Sequence, residues 1–165
     1  MPPVTHTLRP ATEDDSEFVY DLKRQALGPY IEATWGWDEA VQRDLHGQQF
    51  TPSETQVFVV GATPVGCVRV RRKNDEVVLV SIYILPAWQS KGIGAEALAD
   101  LLREAHARHV PMRLRVLRVN ERAIALYKRH GFEVVETTDT HYVMRAHPPT
   151  SLASPRKQAP TRATA

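Results

Sequence analysis

The chain has 165 residues, 42% of them hydrophobic, which suits one domain that builds its own core without metal or disulfide support. Its single cysteine, Cys67, excludes an internal disulfide, no apolar run approaches a membrane span, and Met1-Pro2-Pro3-Val4-Thr5-His6 lacks the basic and apolar parts of a secretion signal, so a cytoplasmic protein is expected. The net charge of +2 comes from Arg156, Lys157 and Arg162 near the C-terminus; without them the chain carries −1, so neither a nucleic-acid face nor a membrane contact is expected.

The first strand is expected over residues 4–9. Thr12 follows as an N-cap, with Asp15 three residues on as an acidic form of the capping box. Phe18, Val19, Leu22 and Ala26 then recur at helical spacing. A break is expected at Gly28-Pro29, separating this helix from the segment Tyr30-Ile31-Glu32-Ala33-Thr34-Trp35-Gly36-Trp37. A second helix covers residues 38–49. Three strands come next, over 56–61, 65–72 and 76–85. The turns between them are short, so they form antiparallel hairpins. The third, EVVLVSIYIL, is apolar almost throughout and reads as a central strand buried on both faces.

Residues 92–108 form a helix whose stripe is Ile93, Ala97, Leu98, Leu101, Leu102 and Ala105. A strand over 112–119, a helix over 121–130 closed by Gly131, and a final hairpin of 132–136 and 141–145 complete the chain. The fold class is α/β: one domain, a central mixed and mostly antiparallel sheet with helices on both faces, in the order β-α-α-β-β-β-α-β-α-β-β. Residues 1–6 lead into a domain over 7–147. Residues 148–165, rich in Pro, Ala and Thr, are expected to be disordered.

The link Leu85-Pro86-Ala87-Trp88-Gln89-Ser90-Lys91-Gly92-Ile93-Gly94-Ala95 joins the central strand to a helix. Gly92 and Gly94 let backbone approach a ligand, and the first helical turn offers free N–H groups and the positive end of the dipole, a setting for pyrophosphate. A plain tight turn is the alternative. Gly92-Ile93-Gly94-Ala95-Glu96-Ala97 also fits a dinucleotide fingerprint, but hairpins precede it and the next strand ends in Arg118-Val119-Asn120, not in an acid.

Two motifs resemble the GNAT superfamily of acyl-CoA-dependent N-acyltransferases. One is Q/R-x-x-G-x-G/A, here Gln89-Ser90-Lys91-Gly92-Ile93-Gly94, preceded by Ile82-Tyr83-Ile84-Leu85-Pro86. The other is N-x-x-A-x-x-L-Y-x-x-x-G-F, here Asn120 to Phe132. The resemblance covers roughly residues 7–147. It implies transfer of an acetyl group from acetyl-CoA, the co-substrate, to a primary amine by direct attack, with no metal. It implies that backbone at Ile82, Tyr83 and Ile84 meets the pantetheine arm and that the amides of Gln89, Ser90, Lys91, Gly92, Ile93, Gly94 and Ala95 wrap the pyrophosphate. It further implies that Asn120 reaches the CoA arm and that Tyr127 faces the sulfur, where its protonated phenol is expected to act as general acid. On spacing alone, Asn120 is also an N-cap and Tyr127 a core tyrosine.

The acceptor is a small-molecule or peptide amine, and it needs a base because a lysine-like amine is nearly all protonated at pH 7. The central strand holds no acid. The resemblance implies that the segment after the first helix lines the acceptor mouth, which makes Glu32 the first candidate, with an ordinary exposed glutamate as its alternative; His141 is the second. Tyr30, Glu32, Trp35 and Trp37 are expected to line the acceptor mouth; the alternative has the tryptophans anchoring the helix pair to the core. His106 and His109 lack a third ligand at metal spacing. A non-catalytic acyl-CoA-binding module on the same fold is the rival function, and a homodimer stays open.

Overall fold

The computed structural model describes residues 4–149. A seven-stranded sheet, in the order β1-β2-β3-β4-β5-β7-β6, is built from β1 (Thr7–Pro10), β2 (Thr55–Val60), β3 (Thr63–Arg72), β4 (Val77–Ile84), β5 (Met112–Leu117), β6 (Glu133–Thr137) and β7 (His141–Ala146). The helices are α1 (Ser16–Trp35), α2 (Glu39–Gln49), α3 (Ile93–Ala107) and α4 (Glu121–Arg129). The element order is the one read from the sequence. The tail residues from 150 onward lie outside the described residues.

Every sheet neighbour is antiparallel except β4 and β5, which run parallel. The connection between them is α3, whose Ile93, Ala97, Leu98, Leu102 and Ala105 are buried on one face of the sheet. They join Val68, Val70, Leu79, Met112, Leu114, Tyr127 and Met144 in the main core. On the other face, Val19 and Leu22 of α1 pack on Cys67, which is 1% exposed.

Near the start of the domain the capping signal is met in part. The Thr12 N–H donates to Asp15 Oδ2 at 2.8 Å, and Arg9 closes a two-pronged pair on the same carboxylate, with both distances 2.9 Å. That pair holds the Asp15 carboxyl below its ordinary range.

Two expectations are corrected. The helix does not break at Gly28-Pro29: α1 runs through Pro29 to Trp35. An interior proline costs about 3 kcal/mol. Continuing the helix buries Ile31 to 4% exposure and seats the Trp37 ring on Gly28, gains of similar size. Nor is β4 buried on both faces along its length. Val77, Val78 and Leu79 are buried, but Val80 to Ile84 are half-exposed. The reason lies in pairing, and it creates the site.

Candidate active site

β4 and β5 pair at only three positions, Val77 with Met112, Val78 with Arg113 and Leu79 with Leu114. On the β3 side, Arg69 pairs with Ser81 and Val70 with Leu79, so Val80 is an extra residue with no partner. This bulge bends β4 away from β5 beyond Leu79. The strands diverge into a cleft with a volume of about 830 Å³, large enough for a long ligand.

The backbone register decides what β4 offers to that cleft. The Leu85 N–H donates to the Val65 carbonyl at 2.9 Å, and Tyr83 stands opposite Cys67. Alternation then turns the backbone groups of Ile82 and Ile84 toward the open side. The Ile84 carbonyl accepts from the Gln89 side chain at 2.9 Å. The remaining groups form a short strand edge without a strand partner, which an extended amide-bearing chain can complete.

The loop after β4 ends the cleft. Ser90 and Gly92 both have positive φ, 61° and 91°. A serine there costs about 1 kcal/mol of backbone strain, and the resulting turn leads directly into the N-terminus of α3. Arg122 donates to Ser90 Oγ at 2.8 Å and lines the cleft. A Cβ built on Gly94 meets no protein atom within 4 Å, so that position opens onto ligand space. Free N–H groups, the helix dipole and a guanidinium together suit an anion such as pyrophosphate.

Of the residues named from the motifs, Ile82, Tyr83, Ile84, Gln89, Ser90, Gly92, Ile93, Gly94, Ala95, Asn120 and Tyr127 all line this one cleft. Lys91 does not: its side chain is exposed, and its carbonyl accepts from the Val4 N–H at 3.0 Å. Asn120 caps α4, accepting from the Ala123 N–H at 3.2 Å, and lines the cleft as well. Tyr127 is 7% exposed, its ring tilted against Phe132, and burial pushes its phenol up to about 12. It therefore stays protonated at any working pH.

The acceptor-mouth residues divide. Tyr30 lines the cleft beside Ala26 and Leu27. Glu32 and Trp37 do not. Because α1 is continuous, Glu32 stands about 200° around the helix from Tyr30 and is exposed, accepting from the Trp37 N–H at 3.3 Å. Trp37 packs edge-on to Tyr20, and its indole N–H donates to Glu39 at 3.0 Å, so it ties α1 to α2. Trp35 is 60% exposed, and its ring centroid lies 6.0 Å from that of His141, which does line the cleft. His141 Nδ1 is 2.8 Å from the Thr140 hydroxyl. Burial first, and Arg115 second, hold its imidazole below the ordinary histidine value.

The sequence reading missed Arg115, Arg122 and Arg129, all of which line the cleft. A signal existed for two of them: Arg122, Leu126 and Arg129 repeat at helical spacing next to the Asn120–Tyr127 motif. Arg115 alternates with the buried Leu114 and Val116.

Among the described residues, no group of three or more His, Cys, Asp or Glu side chains could hold a metal ion, and no helix is long and apolar enough to cross a membrane.

A sheet opened between two parallel strands, with a phosphate-type loop at the cleft end, suits a ligand with an extended amide-bearing arm and a pyrophosphate, the build of an acyl-CoA. Residues 17–132 match the family model described as the acetyltransferase (GNAT) family, and the chain belongs to that family. It is an acyl-CoA-dependent N-acetyltransferase. No curated protein matches it.

Solved structures share its fold. PaiA N-acetyltransferase of Thermoplasma acidophilum, in complex with coenzyme A, is 17% identical, with 87% of this chain and 99% of that one covered and a TM-score of 0.69. The ribosomal-protein-S18-alanine N-acetyltransferase of Escherichia coli is 21% identical, with 87% and 94% covered and a TM-score of 0.65. Arabidopsis thaliana Naa50, in complex with the bisubstrate analogue CoA-Ac-MVNAL, is 19% identical, with 86% and 98% covered and a TM-score of 0.62.

Proposed function

We propose that the cleft between β4 and β5 holds acetyl-CoA and that a small-molecule or peptide amine, entering past Tyr30 and His141, takes the acetyl group by direct attack. The observation that carries this reading is the edge of β4 at Ile82 and Ile84, which has no strand partner and leads to the loop of Gln89 to Ala95. Acetyl-CoA supplies an activated acyl group as a thioester. The chain's own residues supply the rest. The edge of β4 orients the arm and offers an N–H toward the acyl oxygen, where negative charge grows as the amine attacks. The loop amides and Arg122 hold the phosphates.

His141 takes the proton from the acceptor. It lines the cleft, and its imidazole is neutral at pH 7. Glu32, turned away on α1, is not assigned this role. Tyr127 donates a hydrogen bond to the departing sulfur. With a phenol near 12 against a thiol near 8.5, full proton transfer is uphill by roughly 5 kcal/mol, so the stabilisation comes from the hydrogen bond. Cys67 takes no part: it is buried away from the cleft, and burial pushes its thiol up to about 12. A cytoplasmic setting suits a chain whose single cysteine allows no internal disulfide.

The test is CoA-thiol release from acetyl-CoA across a set of amines. Release only when an amine is present supports the transferase reading. Tight acetyl-CoA binding without release from any amine would favour the non-catalytic binding module.

A further inference from the structure

The cleft is unbalanced in charge. Five arginines line it, and no Asp or Glu does among the described residues. Two of the five are neutralised by acids outside the lining. Arg71 is bonded to Glu54 at 3.0 Å, and Arg113 to Glu76 at 3.0 Å. Arg122 and Arg129 lie on α4, with Arg122 bonded to Ser90 of the phosphate-type loop. Two guanidiniums are then left without a hydrogen bond or ion pair among the described residues, Arg129 on α4 and Arg115 on β5, and of these only Arg115 stands on the strand face that carries His141.

Arg115 sits at a defined point. It follows Leu114, the last β5 residue paired with β4, so it stands where the cleft opens. Leu114 and Val116 are buried in the core shared with α3 and α4, so strand alternation sends Arg115 to the opposite face, the side of α1. Across the ladder it pairs with Val143, and His141 stands two residues further on the same face. Side chains in that diagonal relation lie about 7–8 Å apart. Arg115, His141 and Tyr30 of α1 thus outline one side of the cleft, opposite Arg122 and Arg129.

We propose that Arg115 holds a carboxylate borne by the acceptor next to its reacting amine. The inference rests on reading this cleft as the site of acetyl transfer. Preferred acceptors are then an amino acid, or a peptide with an acidic residue beside its N-terminus. A guanidinium without a partner binds a carboxylate by paired, charge-assisted hydrogen bonds. The same charge opposes an acceptor that carries a second ammonium, as a polyamine does.

A separate feature points the same way. A small chamber of about 50 Å³ shares Ser81 and Tyr83 with the cleft, is lined by Lys23 and Arg69, and again has no acid in its lining. Arg69 is bonded to Glu54 at 2.8 Å, whereas Lys23, half-buried on α1, makes no ion pair among the described residues. The acceptor side of the sheet is therefore positive in more than one place. This field also favours the neutral form of an entering amine, the form that attacks.

The experiment uses matched acceptors and the thiol-release assay on the full chain. One arm compares alanine and glutamate with their α-amides. The other compares peptides with Asp, Asn or Lys at the second position. The carboxylate member of each pair is expected to have a kcat/KM at least about tenfold higher, with preference in the first arm marking a free amino acid and in the second a peptide. Arg115→Gln should erase the ratio without changing the KM for acetyl-CoA, and Arg115→Lys should keep part of it. Equal rates within pairs, preference for the amide or Lys member, or an unchanged ratio in Arg115→Gln would each overturn the proposal and leave acetyl transfer intact. Absence of release from every acceptor by protein that binds acetyl-CoA would overturn the transferase reading and this inference with it.

Discussion

Arg113 and Glu76 clasp each other at the closed end of the cleft, Nε to Oε1 at 3.1 Å and a terminal guanidinium nitrogen to Oε2 at 3.0 Å. The pair spans the short parallel stretch of β4 and β5. Lys73 reaches the same carboxylate at 3.2 Å and Arg145 at 3.9 Å, so one acid gathers three strands and a turn.

This arrangement sets a pH dependence. The Arg113 hydrogen bonds, then Lys73, hold the Glu76 carboxyl at about 2, below its ordinary 4.5. A depressed carboxylate contributes stability that is full above 4.5 and lost as pH falls toward 2. The shift sets an upper bound of about 3 kcal/mol; allowing for the solvent reaching Arg113 and Lys73, roughly 1–2 kcal/mol is expected. Urea unfolding should find Glu76→Gln weaker by that amount at pH 7 and level with the parent near pH 2. Matching curves at pH 7 would show the clasp to be inert.

The two loop glycines should behave differently. A Cβ at Gly94 meets nothing in the protein, so Gly94→Val should keep the parent's thermal midpoint and lose the stabilisation by CoA, which is about 2.7 kcal/mol at a hundredfold excess over Kd. Gly92 has φ 91°, where a valine is strained, so Gly92→Val should also lower the midpoint of the free protein. A thermal-shift titration reads both. Normal CoA stabilisation of Gly94→Val would move the phosphate site elsewhere.

His141 is expected to control the acid side of the rate profile. Its imidazole lies below the usual 6.5, so at saturating acceptor kcat should stay level from pH 8 to pH 7 and fall only below 6.5. His141→Gln should lower kcat by about a hundredfold and abolish that descent. Survival of the descent in the variant assigns it to another group.

Tyr127→Phe removes one preorganised hydrogen-bond donor and should lower kcat by about a hundredfold with little change in acetyl-CoA affinity, since the ring and its contact with Phe132 remain. Burial puts the phenol near 12, so the loss should be the same from pH 6 to pH 9. Full kcat with chemistry rate-limiting would return Tyr127 to the core.

Much of this was legible in the sequence because it rests on local signals. Periodicity located the strands and helices, and two motifs located the loop, Asn120 and Tyr127. Pairing was not legible. Nothing in EVVLVSIYIL marks Val80 as the unpaired residue, because a bulge is defined by the partner strand. Pro29 misled for the complementary reason: its local cost is real, and Ile31 and Trp37 outweigh it through contacts distant in the chain. That continuity of α1 is what turns Glu32 away and brings Tyr30 in. Gly66 is similar, since a Cβ there would stand 2.5 Å from the Tyr83 carbonyl, a closeness visible only once β3 and β4 are paired.

The burial of Cys67 has a practical corollary. A thiol reagent that counts released CoA meets only one sulfhydryl per enzyme chain, and that one is sealed between α1 and β3. Background from the folded enzyme should be negligible within an assay. Over longer times the same sulfhydryl becomes a clock: its slow labelling reports how often α1 lifts from the sheet. If acetyl-CoA slows that labelling, the ligand and the helix are energetically linked across β4, and the linkage can be measured without any turnover.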